Sequence, residues 1–308
     1  MNIGFLFAGQ GAQYVGMGKE LYDSEPIATK IYDDANCSFN VKDVCFNGPI
    51  ELLNDTKYAQ PCIVTTSLAI ASVLSNKGIV PSMVAGLSLG EYSALAYAKA
   101  IGVADVVELV EHRGDLMSNA LPVGSGKMAA IIGLEAPKLL EICNQVNGVC
   151  EIANYNCPGQ LVISGETNAI DEACTIALAN GARRALPLAV SGAFHSSLLI
   201  EASNKFKEYL DKVQFKEPKI KVVHNLSATS ECKDMVECLK LQMCNSVKMQ
   251  ESIEYMIANG IDTFIEIGPG RTLSGFVRKI NKDIKVYNVE NIATLNKTIE
   301  ELGGNTNE

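Results

Sequence analysis

Short apolar runs alternate with helix-forming stretches along almost the whole chain, and no other feature restricts its fold as strongly. "IGFLFAG" (3–9), "IVPSMVA" (79–85), the apolar run at 128–133 and "TFIEIG" (263–268) read as buried strands. Helical patterns occupy 17–33, 60–77, 89–98, 103–119, 196–212 and 271–280. Strands that alternate with helices in this way imply an α/β fold with a largely parallel sheet. One segment departs from the rule. From Lys127 to Val190 the order is strand "KMAAIIGL", helix "APKLLEICNQV", strand "VCEIANY", strand "QLVISG", helix "TNAIDEACTIALANG" and strand "ARRALPLAV". That is the β-α-β-β-α-β order of a ferredoxin-like unit. The expectation is a large α/β domain built from 1–126 and 191–308, with 127–190 inserted as a small ferredoxin-like domain. A cleft between two such units is where ligands favour binding.

Composition narrows the function. Of 308 residues, 47% are hydrophobic and 20% charged, enough for a sizeable core. The net charge of -9 argues against nucleic acid as a partner. Arg183 with Arg184, and Lys216, Lys219 and Lys221, read as solvated surface charge. No apolar run approaches the ~20 residues of a bilayer span. The start, "MNIGFLFAGQG", has no basic segment before its apolar stretch. A cytoplasmic protein with no membrane partner is expected. The ten cysteines include no C-x-x-C pair and read as reduced thiols. None of the three histidines lies two to five residues from a cysteine, so no metal site is expected. "GQGAQYVG" has Tyr14 where a dinucleotide fingerprint needs its third glycine, and "GSGKM" has Met128 where a P-loop needs Ser or Thr. No cofactor is expected.

"GLSLGEYSAL" (86–95) does carry a chemical signal. Ser88 occupies a Gly-x-Ser-x-Gly pattern between an apolar run and a helical one, the setting in which a serine is left exposed at a sharp strand-to-helix turn. The competing reading is a glycine-flanked turn whose serine caps the helix at Leu89. A serine hydroxyl needs a positioned base to become a nucleophile. His195, in "SGAFHSSLL", lies in a turn at the end of the inserted segment, where functional side chains tend to sit. His224, in "KVVHNLS", ends a strand, and His112 lies mid-helix; both stay open as alternatives.

Several stretches taken together resemble the malonyl-CoA:acyl carrier protein transacylases of fatty acid synthesis: "FLFAGQGAQYVGMGKEL" (5–21), "GLSLGEYSAL", "HRGDLM" (112–117), "IANYNCPGQLVISGE" (152–166), "VSGAFHSSLL" (190–199) and "IEIGPGRTLSGFVRKI" (265–280). They keep the family's order and cover nearly the whole chain. The resemblance implies a hydrolase-like large domain with a ferredoxin-like insert. It implies Ser88 as nucleophile, His195 as base, and Gln10 with the Leu89 N–H as oxyanion hole. It places a carboxylate-binding arginine at Arg113 and substrate contacts at Met117 and Phe194. The implied partners are malonyl-CoA and acyl carrier protein.

The chain departs from the family pattern in three places: Leu87 stands where many members have His, Ala8 where many have Pro, and "NSVKM" (245–249) where many read "NPVQW". In the family this last segment orients the histidine through a main-chain carbonyl, which the match assigns to Lys248. A free-standing acyltransferase or an acyl hydrolase serving a polyketide synthase, and a non-catalytic binder of carrier protein, are the rival readings.

Overall fold

The computed structural model describes residues 1–190 and 192–303. Among the described residues the strands are β1 (Ile3–Phe7), β2 (Met83–Gly86), β3 (Gly126–Ile132), β4 (Cys150–Cys157), β5 (Gln160–Glu166), β6 (Arg184–Pro187), β7 (Lys221–Val223), β8 (Thr263–Ile267) and β9 (Lys285–Val289). They form two sheets. The first has the order β7-β2-β1-β8-β9 and is parallel throughout. Its central strands β1 and β8 are buried at every position. Helices cover both faces, so the strands read as continuous apolar runs.

The second sheet has the order β4-β5-β3-β6 and is antiparallel throughout, with helices Ala136–Cys143 and Thr167–Ala179 in its crossovers. This is the ferredoxin-like arrangement. Its two faces divide with the period of two that a strand imposes. Ala129, Ile131, Leu161 and Ile163 pack with the two helices, whereas Met128, Ala130 and Val162 join the core of the larger part. The boundary expected at residue 191 falls outside the described residues.

Local chemistry moves several expected boundaries. The stretch 17–33 is two helices, Lys19–Ser24 and Pro26–Asp33, with extended Glu25 between them. A proline drives the residue before it out of the helical region. In 79–85 only the end joins β2, since Pro81 has no N–H to give a ladder. The helix expected from 60 begins at Thr56, where the Asp55 side chain accepts from the Lys57 N–H. This helix, Thr56–Asn76, is long and apolar enough to cross a membrane by length and composition, contrary to the expectation from the apolar runs. Most of it is buried, and it packs on helices Val103–Ser118 and Pro26–Asp33. All ten cysteines are free.

Candidate active site

In open α/β sheets, sites form beyond the carboxyl ends of the strands, near the point where the chain changes direction across the sheet. β1 is the central strand, with β2 on one side and β8 on the other. Gln10 follows β1 and Ser88 follows β2. Ser88 connects β2 to helix Gly90–Tyr97, and its own backbone carries the strain of the turn, with φ 52°. The flanking glycines are required by close approach at the turn. Neither has a positive φ; instead a Cβ on Gly86 would overlap the Gly90 backbone, and one on Gly90 would overlap the Phe7 carbonyl. They let the turn press against β1. Ser88 does not cap the helix: Leu89 is at the cap position and no side-chain capping bond forms.

The Ser88 hydroxyl lies 2.6 Å from His195 Nε2. His195 Nδ1 lies 2.9 Å from the main-chain carbonyl of Gln242. A carbonyl can only accept, so Nδ1 carries the proton and Nε2 is bare, free to accept from Ser88. Burial first, and the Arg113 charge second, push the His195 pKa down to about 4, while its bond to Gln242 opposes the shift. The imidazole is therefore neutral at physiological pH, as a base must be.

The orienting carbonyl corrects the assignment to Lys248. Gln242 lies in the last turn of helix Met235–Cys244, where carbonyls have no partner within the helix. Lys248 caps the following helix, Met249–Ala258, and its carbonyl accepts from the N–H and hydroxyl of Ser252. The negative end of the Met235–Cys244 helix dipole also favours a proton on His195 when one arrives.

Arg113 is 1% exposed and comes from helix Val103–Ser118. Gly114 lets that helix approach: a Cβ there would stand 2.5 Å from the Thr56 carbonyl. The guanidinium donates to Gln60 Oε1 at 3.0 Å, to Gln242 Oε1 at 3.0 Å and to Ser88 Oγ at 3.2 Å. Its carbon lies 5.1 Å from the centre of the Tyr92 ring. The neighbouring acids do not neutralise it. Glu111 accepts from Ser38, and Asp115 pairs with Lys57. Among the described residues Arg113 has no carboxylate partner.

A cavity of ≈ 240 Å³ opens on these groups, lined by Gln10, Ser88, Leu89, Arg113, Met117, Phe194 and His195 among others. Met117 Sδ accepts from Gln60 Nε2 at 3.5 Å. Gln10 turns its side-chain amide to Thr56 Oγ1, 3.1 Å away. The backbone N–H groups of Gln10 and Leu89, both at the cavity, have no acceptor among the described residues. Asn154, Asn156 and Val162 of the second sheet form the facing wall. Those three lie in the matching stretch 152–166, but no residue pattern singled them out as site residues, nor Gln60, Gln242 or Asn225, whose Oδ1 accepts the Ser88 N–H at 2.8 Å.

The other histidines are placed elsewhere. His224 is buried with Nδ1 2.8 Å from Glu91 Oε1, beneath the turn. His112 stacks on Tyr209, with ring centroids 4.0 Å apart. Among the described residues there is no group of three or more His, Cys, Asp or Glu that could hold a metal.

Residues 4–307 match the family model described as the acyl transferase domain. The chain belongs to the acyl transferase family. Within that family it is 44% identical to a malonyl CoA-acyl carrier protein transacylase of Bacillus subtilis (strain 168), a match covering 98% of this chain and 97% of the relative. A malonyl CoA-acyl carrier protein transacylase from Clostridium perfringens ATCC 13124 superposes with a TM-score of 0.96 at 41% identity, over 98% of each chain. A malonyl-transacylase solved in complex with a type II polyketide synthase acyl-carrier protein superposes with a TM-score of 0.93 at 35% identity, over 98% of this chain and 100% of that one. These family members share both sheets, which agrees with the α/β fold with a ferredoxin-like insert read from the sequence.

Proposed function

We propose that this chain moves a malonyl group from malonyl-CoA to the phosphopantetheine thiol of an acyl carrier protein, with Ser88 carrying the group as an ester in between. The observation that supports this most is Arg113: a buried cation beside the nucleophile with no carboxylate partner among the described residues. Burying a charge unpaired is costly, and the cost is offset when a ligand supplies the opposite charge. A malonyl group differs from an acetyl group by one carboxylate, and a planar guanidinium offers it two parallel hydrogen bonds.

The steps follow from the geometry. His195 Nε2 takes the Ser88 proton as Oγ attacks the thioester carbonyl. The imidazolium that forms is held through Nδ1 by the Gln242 carbonyl. The carbonyl oxygen gains negative charge and meets the free N–H groups of Leu89, at a helix N-terminus, and Gln10. Collapse expels coenzyme A thiol, which takes the proton from His195. The carrier thiol then gives its proton to His195, attacks the malonyl ester, and Ser88 recovers its proton as it leaves. The reaction as proposed uses protein groups and two thiols only.

The test is intact mass. Malonyl-CoA should add one malonyl group to the wild-type chain, and holo acyl carrier protein should remove it. Ser88→Ala should take up none while keeping its fold. An adduct on that variant would overturn the assignment of the nucleophile.

A further inference from the structure

Gln242 does more than lend its carbonyl to His195. Its side-chain amide lies between the two buried ionic groups of the site. Oε1 accepts from Arg113 at 3.0 Å, and Nε2 donates to Glu91 Oε2 at 2.9 Å. The amide dipole is thus aligned, oxygen toward the cation and nitrogen toward the anion. Nε2 also donates to the Ser88 carbonyl at 2.9 Å, which ties the same side chain to the nucleophile turn. Gln242 is 1% exposed and Glu91 is 1% exposed, so water does not separate the charges.

Glu91 is otherwise committed to the layer beneath the turn. It meets His224 Nδ1 at 2.8 Å and the Asn225 N–H at 3.2 Å. Arg113 belongs to the layer above, with Gln60 as its second neutral tether and the Tyr92 ring beside it. A guanidinium and a carboxylate in one dry pocket attract strongly and pair when nothing stands between them. Here an uncharged amide does.

We propose that Gln242 is a positioning residue for substrate specificity: its amide holds Glu91 away from Arg113, so that the guanidinium stays un-neutralised for the carboxylate of the incoming acyl group. This rests on the reading of Arg113 as the carboxylate site. Because the main-chain carbonyl of the same residue fixes His195, recognition of the acyl group and orientation of the base are built on one side chain and its own backbone. Selection against uncharged acyl groups then follows from an empty cation, which costs energy until a carboxylate fills it.

The experiment compares malonyl-CoA with acetyl-CoA in specificity constant, and measures labelling of Ser88 by an organophosphorus probe, which needs the base but no carboxylate. Gln242→Glu hands Arg113 an internal carboxylate. KM for malonyl-CoA should rise at least about tenfold, as for the loss of a charge-assisted hydrogen bond. The malonyl-to-acetyl ratio should fall by a similar factor, and by more than probe labelling, which reports what the substitution does to the base and the nucleophile turn. Gln242→Met keeps the length but removes both ends of the dipole, leaving Glu91 free to take Arg113. It should lower the ratio too, and adding Glu91→Gln should restore part of it. Equal losses on both substrates in the Gln242 variants, or a double variant that recovers nothing, would overturn the proposal and leave Gln242 a packing residue. If Gln242→Glu does not fold, the Met variant and its double decide alone. A wild-type enzyme with no preference for malonyl over acetyl would overturn the reading of Arg113 itself, and the proposal with it.

Discussion

His195 is kept neutral by two causes that a single substitution separates. Burial is the larger and the Arg113 charge the smaller, and together they push its pKa from the ordinary 6.5 down to about 4. The unfolded chain takes up this proton first as pH falls. The site's contribution to stability is therefore full above about 6.5 and is lost as pH drops through the window toward 4. Reactivity follows the bare imidazole. Labelling of Ser88 by an organophosphorus probe should hold its plateau through pH 6.5 and fall only near 4. Arg113→Ala removes the smaller cause and leaves burial, so the fall should move upward in pH without reaching 6.5. The check is the labelling rate against pH for both proteins; coincident midpoints would mean the Arg113 charge does not reach His195.

Among elements, the strand-to-helix turn at Ser88 is fixed by close approach, and here the glycines of the pattern have distinct consequences. Gly90→Ala would drive a Cβ into the Phe7 carbonyl of β1. Overpacking of this kind costs about 1–3 kcal/mol, and it should also displace Ser88 and slow acylation. Gly275, inside helix Thr272–Ile280, meets nothing within 4 Å. Gly275→Ala should stabilise by roughly 0.5–1 kcal/mol, because alanine loses less backbone freedom in a helix. Thermal melting of the two variants checks both, and the signs should be opposite.

The same contrast shows what the sequence could reveal. The Gly86-x-Ser88-x-Gly90 spacing is a side-chain pattern, and it located the turn. The orienting carbonyl of Gln242 is backbone, and no residue pattern records which carbonyl a fold will present. Its helix, "MVECLKLQMC", mixes apolar and polar residues with no clear stripe, so the site's third partner fell to Lys248 by analogy. Arg113 and Met117 are legible only through the family resemblance, since one helical turn between two residues is as common in a packed core as in a site. Gln60 was not, because it meets Arg113 from a different helix 53 residues away.

At the scale of the molecule, the second sheet does more than close the cavity: its edge strand β4 holds the base in place. The edge would otherwise expose unpaired backbone groups. Instead the segment after helix Met235–Cys244 adds to it, with the Tyr155 N–H donating to the Val247 carbonyl at 2.9 Å and the Val247 N–H to the Ala153 carbonyl at 2.8 Å. Ser246 Oγ donates to the Ile152 carbonyl at 2.5 Å. On the same strand, the Glu151 carboxylate accepts from the Ser197 N–H at 2.8 Å and from its hydroxyl at 2.6 Å. Ser197 is two residues from His195, whose φ of 59° is a strained value for a side chain with a Cβ. One strand thus grips both sides of the His195–Gln242 contact: the loop that carries the ring and the segment that follows the carbonyl. Hydrogen bonds to a charged acceptor contribute about 1.5–3 kcal/mol when buried, and less for a half-buried pair such as this. Glu151→Ala touches no cavity-lining group at Ser88 and leaves Arg113 and its tethers intact. It should lower the melting temperature by a few degrees and reduce kcat about three- to tenfold through a looser imidazole, with KM for malonyl-CoA unchanged. Glu151→Gln keeps an acceptor for one of the two bonds and should fall between. A rise in KM at constant kcat would place Glu151 in substrate binding instead, and separate the grip of β4 on the base from the wall it lends to the cavity.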